Sequence, residues 1–301
     1  MQPWSLSPAR AARYGRRAAA ALAAMVVAVT VAAAEAGDAP VWPEPNGTLV
    51  LARPFGRSDL SLRLARRVAG AVDSLTWDGV TFVSDTETED ALQARVTVGP
   101  DEAGRAASEG GSPEDGVPAA QRLTGLRFGR SWAETDTRLA WTPPGAKDVI
   151  LHKRIGLGLP GLGNAVEVQA RFVLPEPADA VRFEALAASV PAEFSEAWSF
   201  DRGTGTVSRL DPAAGEQRRP VILAMPEGSH ALAFWSPNPP EQEADAPPPA
   251  FTVRPGPDAT RLSCAFPVAH AAAGAHEFAC YALVGSLADI RAALRSLTAP
   301  E

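Results

Sequence analysis

Residues 148–174, DVILHKRIGLGLPGLGNAVEVQARFVL, alternate apolar and polar positions on both sides of a Gly/Pro-rich centre. A period of two marks strands with one buried and one wet face. In the second half Val166, Val168, Ala170, Phe172 and Leu174 alternate with Glu167, Gln169, Arg171 and Val173; in the first, Val149, Leu151 and Ile155 alternate with Ile150, His152 and Arg154. Setting Ile155 opposite Val166 places Leu151 against Ala170 and Val149 against Phe172 on the dry face. The wet face then pairs Arg154 with Glu167 and His152 with Gln169. A slip of one residue would set Leu151 against Gln169, which the pattern disfavours. The expected product is a sheet with a polar face carrying His152, Arg154, Glu167 and Gln169.

A series of further short strands is read at 48–52, 60–65, 69–76, 80–83, 92–98, 122–128, 132–141, 180–187, 197–200, 206–210, 221–225, 230–235 and 251–254. Turn residues punctuate it: Asp78-Gly79 between two apolar runs is a hairpin signal. Residues 99–120 are polar and rich in Gly, Pro, Glu and Ser, which reads as a long surface loop, and the proline-rich stretch 238–250 reads as another. One helix is predicted, at the end of the chain. There Ser286 and Asp289 form a capping-box pattern, and Leu287, Ile290, Leu294 and Leu297 recur at helical spacing. About fifteen short strands and one C-terminal helix predict an all-β chain, a large antiparallel β-sandwich.

The start of the chain follows different rules. Arg10, Arg13, Arg16 and Arg17 precede an uncharged Ala/Val-rich run over 18–34, and Ala34-Glu35-Ala36 offers a small-x-small cleavage site. Residues 1–36 are read as a secretory signal, leaving 37–301 as a single β-sandwich domain that is secreted or periplasmic. The first 36 residues hold four arginines and one glutamate, net +3, so the remainder carries −10 against −7 for the whole chain. That balance argues against nucleic acid, and against an anionic membrane after signal cleavage. Cys264 and Cys280 are the two cysteines, and export would let a disulfide between them persist. Aligning them as cross-strand partners in a hairpin also aligns Leu262 with Ala282 and Phe266 with Phe278.

Little in the chain is a chemical motif. Gly156-Leu157-Gly158-Leu159-Pro160-Gly161 spells the dinucleotide pattern, but it contains a proline and runs into a strand, whereas the motif needs a helix N-terminus for the pyrophosphate. It is read as a turn. Asn46-Gly47-Thr48 is read as a turn as well. The acidic run 85–90 lacks the glycine and spacing of a calcium loop. No metal site and no cofactor are expected, and no nucleophile elbow, zinc helix or P-loop is present. Trp77, Trp132, Trp141 and Trp235 are read as core or hairpin aromatics. Trp198 lies in a stretch with Glu193 and Glu196, where an aromatic ring could stack on the apolar face of a sugar.

The residues 71–82 (AVDSLTWDGVTF), Ala91-Leu92-Gln93 and Gly158-Leu159-Pro160-Gly161-Leu162 resemble a group of secreted bacterial proteins without assigned function. More distantly, the chain resembles the galactose-mutarotase-like β-supersandwiches, which bind sugars on the concave face of a large twisted sandwich. In the related sequences an Asp-His-Gly-Arg run is expected before the Leu-Gln; here those positions read Glu87, Thr88, Glu89 and Asp90. The mutarotases' Glu base and His acids have no one-for-one match in this chain. The resemblance implies fold and ligand class. With the polar face it predicts an exported carbohydrate-binding protein whose site is lined by His152, Arg154, Glu167, Gln169 and Trp198. Two other readings stay open: a sugar epimerase or glycan-cleaving enzyme pairing His152 with Glu167 or Glu196 as acid and base, and an envelope module whose polar face is merely wet.

Overall fold

The computed structural model describes residues 40–83, 92–99, 104–110, 121–142, 144–211, 215–237 and 250–298. The expected signal over 1–36, the acidic run 85–90 and most of the proline-rich stretch 238–250 lie outside these residues.

The described residues form nineteen strands and one α-helix: β1 (Thr48–Phe55), β2 (Ser58–Ala65), β3 (Val72–Trp77), β4 (Val80–Thr81), β5 (Gln93–Val98), β6 (Arg105–Ser108), β7 (Arg122–Phe128), β8 (Trp132–Leu139), β9 (Val149–Leu159), β10 (Leu162–Leu174), β11 (Ala178–Pro191), β12 (Glu196–Asp201), β13 (Thr206–Arg209), β14 (Gly215–Gln217), β15 (Val221–Ala224), β16 (Ala231–Trp235), β17 (Ala250–Pro255), β18 (Ala259–Ala271), β19 (Gly274–Gly285) and α1 (Leu287–Thr298). They make three antiparallel sheets. The large sheet has nine strands in the order β13-β12-β15-β16-β19-β10-β9-β8-β7, the facing sheet six in the order β14-β17-β18-β11-β5-β6, and the small sheet is β1-β2-β3-β4. The all-β sandwich with a C-terminal helix read from the sequence is the architecture observed.

The core lies between the large and facing sheets. Phe172 on β10 meets Phe183 on β11 at 5.3 Å, and Phe266 on β18 stacks on Phe278 of β19 at 4.4 Å. Alternation puts Val149, Leu151, Ile155 and Leu157 of β9 and Val166, Val168, Ala170 and Phe172 of β10 into this core, as expected. The register between the two strands differs from the expectation. Leu159 lies opposite Leu162 around Pro160-Gly161, as the predicted register requires, but an irregularity before Val166 then sets Leu157 opposite Val166 and Ile155 opposite Val168. Residues 163–165 face a single residue of β9, so β10 gains two residues. A shift of two, unlike a shift of one, leaves every side chain on its predicted face.

The cysteines form a disulfide, as expected, but not across a hairpin. Cys264 pairs in its sheet with Leu186 and Phe251, and Cys280 with Val168. The chain crosses between sheets after β18, so the bond links the two layers. The apolar faces of β18 and β19 then bury each other, which side-by-side pairing in one sheet would not achieve.

A second correction concerns 99–120. Residues 105–108 form the edge strand β6 instead of a surface loop, and Glu109 behind it is fully buried. Asp78 and Gly79 both adopt positive φ, the geometry of a tight hairpin turn between β3 and β4.

The helix α1 covers part of the outer face of the large sheet. Ile290, Ala293 and Leu294 pack with Ile222, Ala224, Ala231, Ala233 and Leu283. The predicted cap forms: Ser286 Oγ accepts from the Asp289 amide at 3.2 Å, and the Ser286 amide donates to Asp289 Oδ2 at 2.9 Å. Beyond the helix, His152, Arg154, Gly156, Glu167 and Gln169 on this outer face are partly exposed.

Candidate functional site on the outer face of the large sheet

Antiparallel pairing arranges the open face in rows that cross the strands. One row reads Trp235, Tyr281, Glu167, Gly156, Trp132 across β16, β19, β10, β9 and β8. The next reads Ala279, Gln169, Arg154, Glu134, Arg127, and the one after it Glu277, Arg171, His152, Asp136 and Gly125. Successive rows are about 7 Å apart along the strands.

In the first row Gly156 has no side chain, so Glu167 and Trp132 stand on either side of a gap. A Cβ placed at Gly156 would meet only Glu167 Oε2, at 3.8 Å, an ordinary contact. Trp132 is held in place from beneath: its indole lies so close over Gly129 that any side chain there would collide with it. The Arg154 guanidinium lies over the Trp132 ring at 4.9 Å and donates to Glu134 Oε1 at 2.7 Å. Gln169 Nε2 donates to Glu167 Oε1 at 3.1 Å. Burial, together with the charge and hydrogen bonding of Glu167, pushes the Tyr281 hydroxyl up to about 12. Tyr281 therefore remains a neutral phenol and a donor to Glu167. Its ring lies 5.2 Å from that of Trp235. At the far side Arg53 of β1 crosses above Gly158 and donates to the Leu157 carbonyl at 3.4 Å.

Two rows away, His152 Nδ1 lies 2.6 Å from Asp136 Oδ1. That hydrogen bond, opposed by burial, holds the Asp136 carboxyl below its ordinary value. His152 is a third exposed.

With this geometry in view, the chain can be set beside known proteins. Neither a protein-family model nor a curated protein matches it. Among solved structures it is similar to a galactose mutarotase-like protein from Lactobacillus casei, at 10% identity and a TM-score of 0.47, over 79% of this chain and 100% of that one. It is also similar to the Slr1438 protein from Synechocystis sp. PCC 6803, at 11% identity and a TM-score of 0.43, over 85% of this chain and 100% of that one. A third is the heparan sulfate lyase HepC from Pedobacter heparinus, at 10% identity and a TM-score of 0.47, over 80% of this chain but 35% of that one. The mutarotase-like group named from sequence is thus among the structures that this fold resembles.

Of the five residues expected to line a site, the structure brings four onto one open face. Arg154 and Gln169 are direct neighbours, Glu167 joins them through Gln169, and His152 lies on the same face two rows from Glu167. His152 is therefore about 13 Å along the strand from the level of Glu167, so these two are not brought together as an acid/base pair. Trp198 is not brought to this group. It sits on β12, four strands from β10, in the row Trp198, Ile222, Ala233, Leu283, Ala165, which adjoins the row of Trp235 and Tyr281; both rows contribute to the apolar cluster that α1 joins. Arg209 lies over its ring and is ion-paired to Glu196, so Glu196 is likewise engaged elsewhere. Sequence reasoning missed Trp132, Gly156, Tyr281 and Trp235. Trp132 carried a usable signal, since it keeps the period of Glu134 and Asp136 on the wet side of β8. Among the described residues, no three His, Cys, Asp or Glu side chains gather to hold a metal ion.

Proposed function

We propose that the protein is an exported carbohydrate-binding protein, and that its site is the gap at Gly156 with Trp132, Arg154, Glu167, Gln169 and Tyr281 around it. The observation that carries this reading is the row itself: a vacant glycine position on an open sheet face, flanked by a carboxylate and by aromatic rings at both ends. Sugars offer hydroxyls to hydrogen-bonding groups and an apolar C–H face to rings. The polar groups are pre-positioned by one another, Arg154 by Glu134 and Gln169 by Glu167, which reduces the ordering cost of binding. Each keeps hydrogen-bonding capacity: a guanidinium has five N–H donors and a carboxylate about four acceptor sites.

Gly156 provides the test. Its backbone is that of an ordinary strand and its Cβ position is uncrowded. Gly156→Val therefore fills the gap without straining the fold, and a β-branched residue suits a strand better than glycine does. A glycan array identifies a ligand, and titration of that ligand is expected to show at least about tenfold weaker binding by Gly156→Val, the scale of a lost cluster of contacts. Its melting temperature is expected to stay at or above that of the parent. Unchanged affinity would remove the site, and an array without a single hit would remove the ligand class.

A second reading, turnover of the bound sugar, is favoured by the His152–Asp136 hydrogen bond, which orients an imidazole on the same face. Incubation of any array hit followed by product analysis decides it. Anomeric exchange or a new reducing end, abolished in His152→Ala, is the outcome that would establish an enzyme.

Export is supported by the Arg/Ala pattern of residues 1–36 and by a disulfide suited to an oxidising compartment. Mass spectrometry of the protein recovered from its native cells is expected to show a chain beginning at Gly37. Recovery of the intact N-terminus from the cytosol would sink this part of the proposal.

A further inference from the structure

Five tryptophans of the described residues have an arginine over the ring: Trp77, Trp132, Trp141, Trp198 and Trp235. A stacked guanidinium normally still needs an acceptor for its N–H groups. Arg57 on Trp77 finds Asp78, Arg154 on Trp132 finds Glu134, and Arg209 on Trp198 finds Glu196. Among the described residues no carboxylate pairs with Arg105 on Trp141, but there the indole N–H is satisfied by the Lys147 carbonyl at 2.9 Å.

Arg202 on Trp235 combines two features found singly elsewhere: like Arg105 it pairs with no carboxylate among the described residues, and its ring, like that of Trp198, has an unsatisfied buried N–H. Its guanidinium centre lies 5.3 Å from the ring, and Nη2 donates to the Ser236 carbonyl at 3.0 Å; among the described residues no carboxylate pairs with it. Asp201, its chain neighbour, is already committed to the Gly203 and Thr204 amides and to Arg219. Burial lowers the ordinary value of Arg202, so the cation is held in a partly dry place. Beneath it, Trp235 is 6% exposed and its buried Nε1–H finds no acceptor among the described residues. A cation and an orphan donor thus lie side by side. Trp235 is also the end of the row that runs through Tyr281 to Glu167 and Gly156.

We infer that the site takes a negatively charged sugar, with a carboxylate or sulfate group held by Arg202 at the Trp235 end of the row. This rests on the carbohydrate reading above and names the class of sugar. Such a group supplies the anionic oxygens that no described residue offers Arg202, and a planar guanidinium meets either group with two parallel hydrogen bonds. The chain after residue 36 carries −10, so long-range attraction does not draw an anion to it. Recognition has to come from this local contact.

The test is calorimetric titration of the purified protein with three trisaccharides of one backbone: neutral, carboxylated at the terminal sugar, and O-sulfated at the terminal sugar. At least one charged form is expected to bind about tenfold or more tightly than the neutral form, the scale of charge-assisted hydrogen bonds. Which charged form wins tells carboxylate from sulfate. Arg202→Gln is expected to erase the preference, so that charged and neutral forms bind it with equal affinity. Arg202→Lys, which keeps the charge but loses the fork, is expected to fall between the two and serves if Arg202→Gln does not fold. Equal affinity for neutral and charged forms, or a preference that survives Arg202→Gln, overturns the inference and leaves the carbohydrate reading standing. Failure of the folded protein to bind any of the three, or any array glycan, overturns both.

Discussion

Lys153→Met is expected to lower the free energy of unfolding by about 3–5 kcal/mol, the cost of leaving one member of a buried ion pair uncompensated. Lys153 belongs to the inward face of β9, between Leu151 and Ile155, and its side chain is 2% exposed. It is opposite Thr135 and Ala170 within the large sheet, and reaches across the core to Glu109. Nζ lies 2.5 and 2.6 Å from the two carboxylate oxygens, and Glu109 is itself fully buried and accepts the Ala94 amide at 2.8 Å. Methionine fills the volume of the lysine stem but leaves the carboxylate without its cation. The double variant Lys153→Met/Glu109→Gln is expected to recover most of the loss. The glutamine carbonyl still accepts from Ala94, and no charge remains to be desolvated. Urea denaturation of the parent, both single variants and the double variant closes the cycle and isolates the coupling between the two positions. Single-variant losses under 1 kcal/mol that simply add would show that the pair is solvated in solution.

This pair also shows where reading the sequence reached its limit. Strand periodicity needs only neighbours in the chain, so the faces of β9 and β10 and the helix α1 with its Ser286–Asp289 cap were legible. The lysine interrupts an apolar stripe, however, and its partner lies in a stretch whose glycine, serine and acidic residues look like a loop. Whether a charged residue is wet depends on what folds over it, and Glu109 is covered through long-range pairing of β6 that local pattern does not encode. The site divides in the same way. His152, Arg154, Glu167 and Gln169 share a face because two adjacent strands impose it. Trp198 shares only chemistry with them, and strand order places it four strands from β10. Tyr281 and Trp235 join the face because β19 and β16 insert between β10 and β15, which alternation along each strand cannot reveal. The register error has an equally local cause. A turn centred on Pro160-Gly161 fixes the pairing at its tip, and the irregularity that follows resets it by two residues.

Removing the bond between Cys264 and Cys280 is expected to cost about 3 kcal/mol, as chain-entropy arguments give for a closed loop of this length. The S–S bond joins β18 in the facing sheet to β19 in the large sheet, across a sequence separation of 16. Both cysteines have zero exposure and stand one alternation from the stacked Phe266 and Phe278. In a hairpin, ladder hydrogen bonds would hold the two strands together after the bond was cut. Between layers, side-chain packing alone remains, so loss of the bond acts on sheet-to-sheet contact as well as on the unfolded chain. Cys264→Ala/Cys280→Ala is therefore expected to lower the denaturation midpoint, with the exposed area on unfolding raised because the unfolded chain is no longer cross-linked. The same burial governs chemical access. Reductant cannot reach the sulfurs while the sheets are closed, so thiol release from the parent is expected to be slow in buffer and to accelerate steeply at denaturant concentrations near the midpoint. Fast thiol release from fully folded protein, or an alanine pair as stable as the parent, would mean that the layers are not joined as described.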